Sequence, residues 1–401
     1  MIDERYKKNL IFYLSLIGFF GIFTTTMAKN PVLPLFVKGM GGTPEVLGII
    51  AAISPLAGIL FSFPIGVMSD RIGRRKILLL SGSVFLLAPL LYMLVSNAWY
   101  LIPIRFFHGI ATAILGPVAS AAIAEAYDKN KGEKLGTYSS TTLIGRTLAP
   151  IAGGAIISFF MYKGGLFPFK AVYLLAFIAS IPAFVFCFFI KDAEVKLEKK
   201  KPTREEFKDS VKYFIGDGRL VSTALVDMAT YFAFGAFETY LPVYLVDNGF
   251  SPGQIGFIFS LQILSIALTK PLFGKLADKI DKRFQIAAGL LVLGSSMLAL
   301  TFFTHEVFVI AVSLLFGLGM SFSTVATSAY TGDIADKTKL GASMGALSSV
   351  MDIGHSTGPL ITGFIITWVS IRAGFITSFA LCVSVAVIFV LFTAVKKVNR
   401  I

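Results

Sequence analysis

Stretches of about twenty apolar residues recur along this chain, broken by short polar turns and one longer hydrophilic stretch. A helix needs that length to cross the ~30 Å hydrocarbon core of a bilayer, whereas a barrel strand needs only about ten residues. The runs read as twelve spans, at approximately 9–38, 45–69, 77–96, 99–126, 135–160, 168–190, 220–247, 252–276, 284–303, 306–333, 341–367 and 372–395. The fold class that follows is an all-α polytopic membrane protein. Composition agrees, since 55% of the 401 residues are hydrophobic and only 15% are charged, against about 25% charged in a soluble domain. A soluble enzyme, a disordered chain and an ordinary DNA-binding protein are excluded. Cys187 and Cys382 both lie in apolar runs and imply no disulfide framework or metal cluster. No small-residue cleavage site precedes the first span, which is expected to be retained as a helix.

The net charge of +13 is a matter of topology. With twelve spans both termini share a side. On it fall Arg5, Lys7 and Lys8, the run Arg71–Lys76, Lys129–Lys134, the 191–219 linker, Lys275–Arg283, Lys337, Lys339 and Lys396–Arg400, most of the basic residues. The positive-inside rule places that side, and both termini, in the cytoplasm of a cell whose plasma membrane the chain crosses. No nucleic-acid partner is implied.

The hydrophilic stretch 191–219 divides the chain into an N-terminal six-helix bundle, 1–190, and a C-terminal one, 220–401. Its second part reads as an amphipathic helix. Thr203 and Glu206 have capping-box spacing, and Phe207, Val211, Phe214 and Ile215 fall on one face that could lie on the membrane surface; a solvated linker is the other reading.

The halves repeat. A shift of 208 residues carries Pro34 to Pro242, Pro44 to Pro252, Gly48 to Gly256, Gly66 to Gly274, Asp70 to Asp278, Gly109 to Gly317 and Glu125 to Asp333. A shift of 209 carries Gly145, Pro150 and Gly154 to Gly354, Pro359 and Gly363. Internal repeats typify secondary transporters, whose substrate site lies between halves near the midplane. Apart from Lys170 and Arg372 close to their span ends, spans three, six, nine and twelve hold no Asp, Glu, Lys, Arg or His, whereas the other spans carry Lys29, Arg105, His108, Arg146, Asp227, Glu238, Lys270, Asp352 and His355. Charges inside a membrane face a bundle interior or water, so every third helix is expected to be peripheral.

Between spans two and three stands Gly66-Val-Met-Ser-Asp70-Arg71-Ile-Gly73-Arg74-Arg75-Lys76. This run resembles the loop signature of the major facilitator superfamily, and the resemblance extends over the whole chain. The second copy, Gly274 to Arg283, carries Asp281 where the family motif has Gly. The resemblance implies that Asp70 latches the first half against helix eleven. Arg105-Phe-Phe-His108-Gly109 resembles the helix-four motif of proton-linked drug antiporters, with His108 in place of Gln. The segment containing Gly145, Arg146, Ala149, Pro150, Gly153 and Gly154 resembles their helix-five motif, with Ala149 in place of Gly.

No phosphate-binding Gly-rich loop with Lys-Ser/Thr and no His-Glu-x-x-His occurs, so neither ATP drive nor metalloenzyme chemistry is expected. The chain calls for no cofactor and no metal. Its expected partners are a small-molecule substrate, protons and the lipid bilayer, and it is expected to act as a monomer. Candidate proton or cavity residues are Asp352, His355, Glu238, Asp227, Arg146, Arg105, His108 and Asn30, with Tyr231 and Phe234 as aromatics beside an intramembrane acid. Asp352 and His355, three apart on one helix face, are favoured as the proton site. Glu238 is the alternative or the substrate's counter-charge, and Asp227 is expected to pair with Lys270. The function expected is proton-coupled efflux of a small amphipathic molecule by alternating access. A proton symporter or facilitator for a sugar or other metabolite is the alternative, and a membrane receptor or enzyme a distant one.

Overall fold

The computed structural model describes residues 4–127, 130–191 and 204–394. The apolar runs become helices: α1 (Glu4–Lys29), α2 (Val32–Gly39), α3 (Pro44–Ile72), α4 (Arg74–Leu94), α5 (Leu101–Ala126), α6 (Lys131–Phe160) and α7 (Phe167–Cys187). They continue with α8 (Arg204–Gly216), α9 (Gly218–Asp247), α10 (Pro252–Ala277), α11 (Lys282–Ala299), α12 (Glu306–Ile334), α13 (Leu340–Trp368) and α14 (Ile371–Ala394). The first span is divided at Asn30-Pro31 into α1 and α2. Proline lacks the N–H that an uninterrupted helix would use there. Ten of the described helical stretches are long and apolar enough to cross a membrane. The remaining two expected spans, α11 and α13, are less apolar: α11 opens on Lys282, Arg283 and Gln285, and α13 carries Asp352 and His355 among small residues. The result is an all-α protein of twelve spans.

The chain packs as two compact units, residues 1–198 with 242–260, and residues 199–241 with 261–401. In the first unit α1 packs along α6 and α7, α3 along α5, and α4 along α5 and α7. Its core is built from Leu14, Ile17, Phe85, Leu115, Val118 and Ile123. The segment 242–260 joins this unit through close backbone approaches: Gly154 of α6 meets the Pro252 carbonyl, and Gly256 of α10 meets that of Pro150. Ser158 Oγ accepts the Gly253 N–H at 2.8 Å, Ser260 Oγ accepts the Ile151 N–H at 3.1 Å, and Lys38 pairs with Asp247.

In the second unit α11 packs along α12 and α14, and α13 along α14 and α8. Phe237 stacks on Phe316 at 4.2 Å between centroids. Large apolar side chains such as Leu94 and Trp368, each 78% exposed, stand outward in numbers that water would penalise and lipid would not.

The repeat seen in the sequence recurs contact by contact. A methyl on Gly109 would come within 2.8 Å of the Ser54 carbonyl and of Ala57 Cβ; one on Gly317 would meet the Gln262 carbonyl at 2.9 Å and the Ser265 hydroxyl. Ser54 and Ala57 become Gln262 and Ser265 under the same 208-residue shift. Likewise Gly145 abuts the Phe19 carbonyl, and Gly354, 209 residues on, abuts that of Met228, also 209 residues on. Small residues at these crossings let backbones touch, which is how membrane helices gain packing energy without a hydrophobic drive between them.

Candidate functional site

The loop motif between α3 and α4 builds one cluster. Gly73 has φ +101°, ψ 146° and serves as the cap of both helices, a conformation that a Cβ disfavours. That turn brings Arg74 back over the end of α5. Its Nη2 donates to Glu125 Oε1 at 2.5 Å and its Nε to Oε2 at 3.3 Å, and Nη1 donates to the Ser69 hydroxyl. Arg74 is buried, and the Glu125 carboxyl is 17% exposed. In the second unit Lys282 Nζ pairs with Asp333 Oδ2 at 2.9 Å. Residues 282 and 333 are 74 and 125 plus 208, so each unit carries the same cross-link between its loop and the end of its fourth span. The Asp281 departure from the motif also has a physical reason. Asp281 sits at φ −62° and caps α11 by accepting the Arg283 N–H at 2.9 Å, replacing the left-handed turn with a side-chain cap. Contacts of Gly66, Asp70 and Arg71, and with them the latch expected of Asp70, lie outside the described residues. Arg75 is partly buried.

A second cluster lies within the first unit. Arg105 and His108 of α5 are 2% and 1% exposed. Tyr92 OH lies 3.3 Å from His108 Nδ1 and also reaches the Arg105 guanidinium, and Tyr92 stacks on Tyr173 at 4.7 Å. Arg105 Nε and His108 Nε2 have no hydrogen-bond partner among the described residues. Asn30 is buried at the α1–α2 break, where its N–H bonds the Thr26 carbonyl at 2.8 Å. Arg146 is exposed on α6. Around it Gly145, Ala149, Pro150, Gly153 and Gly154 are buried, Gly153 lying against Val32 and Met27.

The third cluster joins α9 and α13 of the second unit. Gly354 and Gly358 let α13 meet the α9 backbone at Met228 and Phe232, and Gly235 returns the contact at the His355 carbonyl and Pro359. This crossing sets His355 Nε2 2.6 Å from Glu238 Oε1, with the Glu238 side chain 4% exposed and that of His355 21%. Tyr231 and Phe234 flank the imidazole at 6.1 and 5.5 Å between centroids. Tyr240 OH, two residues past Glu238, donates to the Pro359 carbonyl at 2.7 Å and fixes the crossing. Asp352 is half-buried one turn from His355 on α13. Asp227, two turns before Phe234, accepts a hydrogen bond from Thr327 Oγ1 at 2.7 Å, and Lys270 lies within its electrostatic reach. The sequence reading joined His355 to Asp352 first; the geometry joins it to Glu238 on the neighbouring helix. It also missed Thr327, Tyr92 and Tyr173. The signal for the loop cross-links was present, as opposite charges at both repeat positions.

A twelve-span repeat with titratable groups buried inside each unit defines a secondary transporter. The chain belongs to the major facilitator superfamily, whose sequence pattern matches residues 14–252 and 223–400. It is a transporter of that superfamily, moves a small molecule across a membrane and performs no catalysis. Among similar proteins is the multidrug resistance protein MdtG of Salmonella typhi, 26% identical over 422 residues covering 100% of this chain and 97% of that one. The multi-drug resistance efflux pump PmrA of Streptococcus pneumoniae is 29% identical over 296 residues, 70% of this chain and 69% of PmrA. An uncharacterised transporter of the same type from Methanocaldococcus jannaschii is 24% identical over 86% of this chain and 88% of its own length. Among solved structures, a bacterial homologue of the human lysosomal transporter Spinster superposes with a TM-score of 0.79 at 16% identity, covering 98% of both chains, a likeness of fold.

Proposed function

We propose that the protein is a proton-coupled exporter of small amphipathic molecules, acting as a monomer in the plasma membrane with both termini in the cytoplasm. The observation that carries this reading is the Glu238–His355 pair, enclosed by Tyr231 and Phe234. A carboxylate and an imidazole in contact inside a low-dielectric bundle can share or release one proton at little cost, provided the neighbouring charge changes. Aromatic faces beside the acid suit the apolar body of an amphipathic substrate, and a cationic group on it would compete with the imidazole for Glu238. Substrate arrival would then expel a proton, and proton arrival would expel substrate. Alternating access supplies the change of side. The similarity to proteins named for multidrug efflux favours export over uptake.

Asp352 is a second carboxyl on the same helix, one turn away and half-buried, and serves in this reading as the relay between the pair and water. If Asp352 were instead the proton carrier, Asp352→Asn alone would abolish gradient-driven flux. In the favoured reading it slows that flux and Glu238→Gln abolishes it. The test is a thermal-shift screen of amphipathic compounds, followed by flux of the hits in proteoliposomes. Uphill movement that appears only with an imposed pH gradient supports proton coupling. Equal flux with and without the gradient would make the protein a facilitator.

A further inference from the structure

In α8 (Arg204–Gly216) the helical period of 3.6 places Ser210, Tyr213 and Phe214 on one arc and Lys208, Val211, Lys212 and Ile215 on the opposite one. The sequence pattern had grouped Phe214 with Val211 and Ile215, and the structure separates them. Thr203 and the side chains of Glu206 and Phe207, the rest of that expectation, lie outside the described residues.

The first arc is docked on protein. Phe214, 8% exposed, sits in a cluster with Leu220, Ala224 and Leu347, edged by Tyr213, Met344 and Val350. Tyr213 OH accepts the Asp336 N–H at 2.8 Å in the turn between α12 and α13. That turn is held by its own contacts, Thr338 N–H and hydroxyl donating to Asp336 Oδ1 at 2.7 and 2.6 Å.

The second arc is bare. Val211 is 41% and Ile215 68% exposed, and Lys208 and Lys212 alternate with them along the same stripe, also exposed. Two branched aliphatic side chains beside two lysines make a poor face for water and a good one for a lipid interface. There the aliphatics enter the acyl boundary and the lysine stems reach up to phosphate. The charge selects the lipid: the sequence enters α8 through Lys199-Lys200-Lys201, and basic residues on an amphipathic helix beside a span favour an anionic leaflet. Glu205 and Asp209 are exposed on the flank of the stripe, not within it.

We propose that the Lys208, Val211, Lys212 and Ile215 face binds the anionic phospholipid surface, and that Tyr213 and Phe214 transmit that binding to the start of α13. The lipid contact stands apart from the transport reading. Only an effect on flux would rest on it, because α13 carries Asp352 and His355.

The test uses the full chain, spin-labelled at Ile215→Cys; the native Cys187 and Cys382 are buried. It is reconstituted in phosphatidylcholine alone or mixed with phosphatidylglycerol. In the mixture the label becomes accessible to oxygen and shielded from a water-soluble nickel chelate. Lys208→Gln with Lys212→Gln lowers the ratio of immersed to free label roughly 25-fold, about fivefold per lysine, and salt lowers it too. A label open to nickel in both lipids overturns the lipid face, and one immersed equally in both overturns its charge selectivity. A second label at Lys337→Cys reads transmission. Its mobility changes with phosphatidylglycerol in the wild-type background and not in Tyr213→Phe, where the Ile215 label still immerses. A Lys337 label blind to lipid in the wild-type background overturns the transmission.

Discussion

The two loop cross-links occupy the same repeat position but should differ in strength, and a pair of double-mutant cycles measures the difference. Arg74 grips Glu125 through two N–H groups, at 2.5 and 3.3 Å, with side-chain exposures of 8% and 17%. A net hydrogen bond to a charged group contributes about 1.5–3 kcal/mol. The second bond here is long and the carboxyl partly wet, so we expect a coupling of about 2–3 kcal/mol. Lys282 meets Asp333 through one contact at 2.9 Å, with Asp333 58% exposed, and such pairs couple by about 1 kcal/mol or less. The variants are Arg74→Gln, Glu125→Gln and their double, with Lys282→Gln, Asp333→Asn and their double as the comparison. Each is unfolded reversibly in mixed micelles of increasing SDS. Glu125→Gln alone should cost more than the coupling, since it leaves the buried Arg74 charge facing an uncharged partner. Additivity within about 0.5 kcal/mol in the Arg74–Glu125 cycle, or equal coupling in the two cycles, would refute the argument from burial and geometry.

Three further outcomes follow from named contacts. Gly354→Ala drives a methyl into the Met228 carbonyl and should destabilise by about 1–3 kcal/mol; Gly341→Ala, in α13 with open space around it, should leave the SDS midpoint unchanged or raise it slightly. Gly73→Ala, at φ +101°, should cost about 1–3 kcal/mol, while Asp281→Ala loses a cap worth about 1 kcal/mol; equal midpoints for Gly73→Ala and wild type would discard the turn argument. The Thr338 hydroxyl and N–H beside Asp336 hold its carboxyl below the usual range. A group whose value is lowered by folding stabilises above its unfolded value and loses that contribution as pH falls through the lowered one. A spin label at Lys337→Cys should therefore stay ordered from neutral pH down past the ordinary aspartate range and loosen only in stronger acid. Loosening near neutrality would contradict this.

Much of the fold was legible because membrane helices are written in long apolar runs and this chain writes them twice. The 208-residue shift that paired Gly109 with Gly317 in sequence also pairs the residues each glycine touches, Ser54 with Gln262 and Ala57 with Ser265. Periodicity along one helix was less informative about contacts between helices. It grouped His355 with Asp352, three residues away, but could not foresee that Gly354 and Gly358 draw α13 onto α9 closely enough to seat His355 on Glu238, 117 residues distant. In α8 it found an amphipathic helix and merged two faces, because Phe214 and Val211 are equally apolar and only the neighbours Leu220 and Leu347 distinguish them. The break at Asn30-Pro31 has a local signal, an Asn-Pro pair after Lys29, which the long apolar run on either side outweighed.

Proton exchange at the Glu238–His355 pair is the central claim, and proton movement itself tests it most directly. The protein, reconstituted in vesicles containing a fluorescent pH indicator, receives a transported compound under clamped membrane potential. Wild type should move protons opposite to substrate in a fixed ratio. Glu238→Gln should move none while still exchanging labelled for unlabelled substrate between equal pools. Proton countermovement of wild-type size in Glu238→Gln would contradict the account and pass the proton-carrying role to Asp352 or to a group elsewhere in the bundle.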